Sequence, residues 1–264
     1  MKYLLISLAF FSLIIISCKK DPQNLENSPI YPSPPSGDYK LIWQDDFNGK
    51  TLDLKKWGYR ANGLRRQGWN SPSSIIIDTV GHNLIIRNIM RNDTAFTGMI
   101  GTHDRLEQKY GFFECRAKVP PITKGYWPAF WMQSQTFGKT LNPFESGMEI
   151  DIMEYVDGDP NVINHALHWN GYGSNLKSTS WSTSSTTFSD GNFHTYALEW
   201  TPKFYKFYVD GHLVWEVNDP ISGANQYLIL SCEISDKKAF NAKFSNQSAD
   251  FIIDYVKVYE WTGK

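Results

Sequence analysis

The chain has 264 residues, 26 basic against 27 acidic side chains for a net charge of −1, and 15% aromatics with ten Trp. That balance excludes the basic footprint of a nucleic-acid binder and leaves no single-sign field for an acidic polymer. Once the first 37 residues, which do not read as fold, are set aside, the remainder is long enough for one large domain with a real core.

Lys2 followed by the apolar stretch Tyr3 to Ile16 reads as an export signal, too short for a comfortable membrane span. The stretch ends Ile15-Ile16-Ser17-Cys18, which resembles a bacterial lipobox; Cys18 would then be the lipidated first residue of the mature protein. A simple cleaved signal with an unrelated cysteine is the alternative. The lipid reading implies an exported lipoprotein anchored to the outer membrane, facing the periplasm or the cell surface, with no other membrane contact. Residues 19–37, with five prolines among Asn, Ser and Asp, read as a flexible or polyproline-like tether ahead of a domain spanning 38–264.

From residue 40 onward strands and turns dominate. Asn83 to Ile89 is apolar and β-branched, and Phe112 to Val119 alternates. His194 to Trp200, Gln226 to Ser231 and Phe251 to Tyr259 read as further strands. Phe204 to Val209 and His212 to Val217 flank Asp210-Gly211, a two-residue hairpin signal because Asp-Gly accepts the positive φ of a tight turn. No stretch of 12 or more residues has helical periodicity, so the chain reads as all-β, a β-sandwich or jelly roll. The Ser/Thr/Gly-rich residues 173–190 and residues 60–75, with Arg60, Arg65, Arg66, Trp69 and Asn70, read as loops that either border a cleft or are simply solvated. Glu114 and Arg116 alternate onto one face, where an ion pair under the cleft floor is expected. Cys115 and Cys232 lie in apolar runs and are read as either a disulfide or two buried thiols.

The run Glu149-Ile150-Asp151-Ile152-Met153-Glu154 places three carboxylates in what otherwise reads as a buried strand. Alternation puts Glu149 and Asp151 on one face and Glu154 on the other. A β-bulge near Met153 would swing Glu154 back beside them. Three carboxylates on one face repel unless at least one holds a proton, which suits a chemistry that pairs an ionised nucleophile with a protonated acid. A solvated acidic strand edge is the other reading; the interleaved apolar residues argue against it.

The same run resembles the signature Glu-x-Asp-x-x-Glu of glycoside hydrolase family 16, in the longer form carried by laminarinases and agarases. Three more blocks resemble the family in order: Tyr110 to Pro120, Trp127-Pro128-Ala129-Phe130-Trp131-Met132, and Ile253 to Tyr259. The resemblance covers about residues 40–261 and implies a jelly roll of two curved antiparallel sheets with a concave substrate cleft. It implies Glu149 as nucleophile, Glu154 as acid/base, and Asp151 as the residue that tunes the pair. His168 would lie near the acid/base, although a lone strand histidine can equally be structural. Trp127 and Trp131 would be sugar platforms and Gln133 a hydrogen-bonding neighbour; the ten Trp could also serve an ordinary core. Ser231 and Glu233, polar within an apolar strand, are expected to bind sugar hydroxyls. Asn62 resembles an asparagine that some members use at a minus subsite.

Many members bind calcium on the convex side; Asp254 matches the acidic ligand, and Gly81 would offer a carbonyl. No cofactor is otherwise expected. The stretch Gly98-Met99-Ile100-Gly101 lacks an Arg that laminarinases often carry, and Trp169-Asn170-Gly171-Tyr172-Gly173 also departs from their usual sequence. The resemblance therefore implies a retaining endo-β-glycanase, expected as a monomer, on a β-glucan with 1,3 or mixed 1,3/1,4 linkages. Alternatives are hydrolysis of a marine galactan (agar, porphyran or carrageenan), transglycosylation, or an inactive glycan-binding surface lipoprotein.

Overall fold

The computed structural model describes residues 22–120, 124–156, 158–245 and 247–263. Its strands, in chain order, begin with β1 (Gln23–Asn24), β2 (Tyr39–Asp45), β3 (Gly58–Tyr59), β4 (Gly63–Arg65), β5 (Gly68–Asn70), β6 (Ile75–Asp78) and β7 (Asn83–Arg91). There follow β8 (Thr94–Thr97), β9 (Met99–Gly101), β10 (Gly111–Lys118), β11 (Tyr126–Gln133), β12 (Glu149–Glu154), β13 (Val162–Trp169) and β14 (Lys177–Ser184). The last are β15 (His194–Trp200), β16 (Tyr205–Val209), β17 (His212–Val217), β18 (Tyr227–Ile234) and β19 (Ala249–Trp261). Two short helices, α1 (Pro143–Ser146) and α2 (Lys237–Phe244), complete the set, and no helix among the described residues is long and apolar enough to cross a membrane.

These strands form a jelly-roll sandwich. One sheet has the order β1-β14-β13-β12-β11-β18-β9-β3; the other runs β17-β16-β15-β10-β19-β7-β8-β5-β4, with β2 on β19 and β6 on β7. Pairing is antiparallel except for β1 with β14 and β5 with β8. Alternation explains why the layers bury each other. Phe130 and Met132 of β11, Ile150 of β12 and Leu228 and Leu230 of β18 face inward. They meet Phe113 and Cys115 of β10, Leu198 of β15 and Val256 and Val258 of β19. The opposite face of the first sheet carries a separate cluster, Met99, Ala129, Trp131, Tyr227 and Ile229 with Trp127, and this is the cleft floor.

Several sequence expectations change. Residues 22–36 are no free tether: β1 pairs with β14, Leu25 joins the main core, and Ile30 bridges to His212. Tyr31 donates its backbone N–H to the Gly211 carbonyl at 2.7 Å, and Ser33 donates to Glu114. Leu25 thus packs into the core and Tyr31 stands edge-on to Tyr208, while Ile30 pairs through its backbone and stays exposed. Cys18 lies outside the described residues. The Ser/Thr-rich stretch expected as a loop contains β14, whose backbone pairs with β13 over its whole length. Residues 60–75 likewise hold the β4–β5 hairpin. Glu114 and Arg116 do not pair with each other: Glu114 accepts from Tyr255, and Arg116 pairs with Asp254, all on the sheet away from the cleft. Cys115 and Cys232 are buried free thiols.

Candidate active site

Strand β12 carries the expected irregularity. Against β11, Trp131 faces Asp151 and Phe130 faces Met153, so Ile152 is the extra residue. Ile152 and Met153 are both buried in the core, and the side chains before and after them, Glu149, Asp151 and Glu154, line one cleft of about 510 Å3. The bulge brings the third carboxylate to the face of the other two.

Their environments differ. Burial, followed by the charge of Asp151, pushes the Glu154 carboxyl well above the usual range, despite an opposing hydrogen bond from Trp127. Burial and the charge of Glu149 raise Asp151 in the same direction. Both acids therefore favour their protonated forms, because desolvation penalises the charge that each would carry. His168 Nε2 lies 3.1 Å from Asp151 Oδ2, which aims the central carboxyl across the strand pair. Trp127 Nε1 donates to Glu154 Oε1 at 2.8 Å.

Glu149 is held by a separate network. Gln133 Nε2 donates to Glu149 Oε2 at 3.0 Å, and the Tyr172 hydroxyl donates to the same oxygen. The orientation of Gln133 is itself fixed, since its Oε1 accepts from Arg60 at 3.0 Å and from the Tyr227 hydroxyl at 2.9 Å. On the other flank, Trp131 Nε1 donates to Ser231 Oγ at 3.0 Å. Glu233 pairs with both Arg65 and Arg66, which ties the β4–β5 hairpin to the cleft floor, and the Arg66 guanidinium lies 4.3 Å over the Trp127 ring. Aromatic faces, amides and paired charges around two acids form a surface suited to sugar rings and hydroxyls.

Residues 70–257 match the family model for glycosyl hydrolases family 16. The chain belongs to that family. A beta-glucanase of Rhodothermus marinus is 29% identical over 260 residues, covering 84% of this chain and 86% of the relative. A keratan-sulfate endo-1,4-beta-galactosidase of Sphingobacterium multivorum is 28% identical over 291 residues, covering 98% of this chain and 67% of the relative. The crystal structure of a laminarinase from Flavobacterium sp. UMI-01 superposes with a TM-score of 0.72 at 29% identity, covering 84% of this chain and 100% of that one. This family 16 member is a glycoside hydrolase and an endo-glycanase by kinship.

Of the residues expected to touch substrate, Trp127, Trp131, His168, Ser231 and Glu233 line the same cleft as the carboxylates, and Gln133 reaches it through Glu149. Asn62 is exposed in the turn before β4 and lines none of the described depressions, whereas Arg60, two residues earlier, does. Both expected calcium ligands already have protein partners. Asp254 is engaged by Arg116, and the Gly81 carbonyl accepts from Asn83 Nδ2 at 2.8 Å. Among the described residues the only group of three His, Cys or carboxylate side chains close enough to share an ion is Glu149, Asp151 and His168, inside the cleft. Sequence reasoning missed Tyr172 and Tyr227 as partners of the site. The one signal for Tyr172 was the departure of the Asn170 to Gly173 run from the laminarinase pattern.

Proposed function

We propose that this enzyme is a retaining endo-β-glycanase acting on a β-glucan with 1,3 or mixed 1,3/1,4 linkages. The observation that carries the reading is the bulge-aligned carboxylate set, in which Glu154 favours its protonated form beside Glu149. Glu149 attacks the anomeric carbon while Glu154 protonates the departing glycosidic oxygen, giving a covalent glycosyl-enzyme. Glu154, now ionised, takes a proton from water, and the water releases the sugar with net retention. Asp151, between them and held by His168, keeps the two acids apart in protonation. The reaction needs no cofactor. The 29% identity to a beta-glucanase and to a laminarinase structure supports the glucan reading. The lipobox-like Cys18 supports export and outer-membrane anchoring, and the enzyme is read as a monomer.

A galactan is the second reading. The galactosidase relative aligns with 98% of the chain. Arg60, Arg65 and Arg66 gather at the cleft, where Glu233 is the only acid paired with Arg65 and Arg66 among the described residues, which leaves cationic character for a sulfated unit.

The test is reducing-end release by residues 22–264 on laminarin, mixed-linkage glucan, xyloglucan, agarose, porphyran, κ-carrageenan and keratan sulfate, with product anomers followed by NMR. Cleavage of a β-glucan with the β-anomer formed first supports the reading; preference for keratan sulfate or another galactan replaces the substrate. Inverted product, or full activity in Glu149→Ala, overturns the mechanism. A transferred glycan product would mark transglycosylation, and binding without cleavage would mark a glycan-binding protein.

A further inference from the structure

The exposed ring of Tyr172 stands over the cleft, but its hydroxyl end is turned into the site. There it accepts from Gln133 Nε2 at 2.8 Å and donates to Glu149 Oε2. Among the described residues both hydrogen bonds to Glu149 land on Oε2 and none on Oε1. A carboxylate fixed through one oxygen has the other left to react.

The loop that carries Tyr172 is built to hold it there. Asn170, Gly171 and Gly173 have φ of 70°, 75° and 100°. A Cβ on Gly171 would lie 2.9 Å from the Gly138 Cα, so this loop sits directly against the 134–142 loop. Phe137 of that second loop packs edge-on to the Tyr172 ring at 5.0 Å. The ring is also the shared wall between the main cleft and a neighbouring depression of about 600 Å3 that contains His103, Gln135 and Asn175.

We propose that Tyr172 is a positioning residue: with Gln133 it pins Glu149 Oε2, so that Oε1 is the oxygen presented to the anomeric carbon. This rests on the reading of Glu149 as nucleophile. The Tyr172 hydroxyl keeps its proton, since burial of that end and then the charge of Glu149 raise it well above the ordinary phenol range. It is therefore a standing donor to an anion, and such charge-assisted bonds are the strong ones. The other titratable or charged groups facing Glu149 are Asp151 and Glu154 on its own strand, His168 on β13, Tyr227 on β18 and Arg60 after β3.

The experiment is a 13C NMR titration of the Glu149 carboxyl, assigned with Glu149→Gln, in the wild type, Tyr172→Phe and Tyr172→Ala, beside pH profiles of kcat/KM on the cleaved polymer. Tyr172→Phe keeps the ring and removes only the donor. We expect the Glu149 carboxyl resonance to change, because one of the two donors to Oε2 is gone. kcat/KM should fall about tenfold through kcat, while KM stays within about twofold. Tyr172→Ala, which also removes the wall, should add a rise in KM. Gly138→Ala, which leaves the phenol but displaces its loop, should give a smaller shift of the same sign. Superimposable Glu149 titrations in wild type and Tyr172→Phe overturn the role of Tyr172 while leaving the mechanism standing. A titration difference between wild type and Tyr172→Phe, in a protein whose wild type cleaves no polymer, overturns the nucleophile reading, and the positioning role with it.

Discussion

The indole of Trp127 and the carboxyl of Glu154 are joined across paired strands at 2.8 Å, and that contact opposes every other large influence on Glu154. Burial and neighbouring acids favour the proton; the indole N–H favours the anion. Trp127→Phe should therefore raise the Glu154 pKa further, because it removes the one strong donor to the ionised form. The basic limb of kcat/KM should move to higher pH. The first chemical step should slow at the same time, since a carboxyl that holds its proton more tightly is a weaker acid toward the departing oxygen, while the ionised form is a stronger base. A pH profile on polymer, with pre-steady-state bursts to separate the two steps, reads both effects.

Glu154 also links activity to stability. Its folded pKa lies above the unfolded one, so its contribution to stability is complete below the ordinary carboxylate range and is lost as pH rises through the folded value. Glu154→Gln removes the titration. We expect that variant to lose about 10²–10⁴ in kcat, the span usual for a general acid. At pH 8 it should gain roughly 2–4 °C in Tm, about 1 kcal/mol for a domain of this size. The gain should shrink toward pH 4. Asp151→Asn should behave in the same sense, because its carboxyl is raised by burial and by Glu149. Thermal scans across pH check the sign.

Glu233 is buried, while its two arginine partners are partly exposed, so the pairs act more as a clamp on the β4–β5 hairpin than as a source of stability. Glu233→Gln should release Arg65 and Arg66 and loosen Arg66 from the Trp127 ring. KM for polymer should rise on the order of tenfold, the effect of losing about 1.4 kcal/mol of binding, with kcat little changed. An equal fall in kcat and kcat/KM would mean instead that the clamp acts at the transition state.

Much of this arrangement was legible in the chain because two periodicities carry it. Alternation placed Phe130 and Met132 inward and Trp127 and Trp131 toward the cleft, and the same alternation, failing at Glu154, called for the bulge that Ile152 supplies. Tyr172 was hidden because it acts from a glycine-flanked loop: its position over Glu149 depends on the contact between Gly138 and Gly171, which no local pattern encodes. By sequence Arg60 is only one residue of a loop that borders a cleft or is solvated, and Asn62 is the specific contact. The structure reverses their placement, because the chain turns at Ala61, with φ of 50°, and leaves Asn62 outside. The N-terminal prolines suggest a tether by composition, yet Leu25 and Tyr31 within that stretch pack against the sandwich and Ile30 pairs with it through its backbone.

That last point has a direct test. Leu25 is 5% exposed, and β1 extends the cleft sheet beyond β14. A chain cut at residue 38 should melt below one beginning at residue 22, with loss of Leu25 burial alone worth about 1.5–3 kcal/mol. Leu25→Ala in the longer chain should reproduce most of that loss without shortening the protein. Equal melting temperatures for the two chains would show that the strap is not held in solution.

The bulge has one more consequence. Glu149 precedes it and Glu154 follows it, so the spacing between the two acids is set by how Ile152 and Met153 seat in the sandwich interior, where no sugar reaches. The ruler of the reaction lies on the far side of the sheet. Repacking such as Ile152→Val would change the gap between the carboxylates by fractions of an ångström while every cleft-facing atom keeps its identity. The separation that a double displacement needs is thereby held from the oily interior, beneath an unaltered surface.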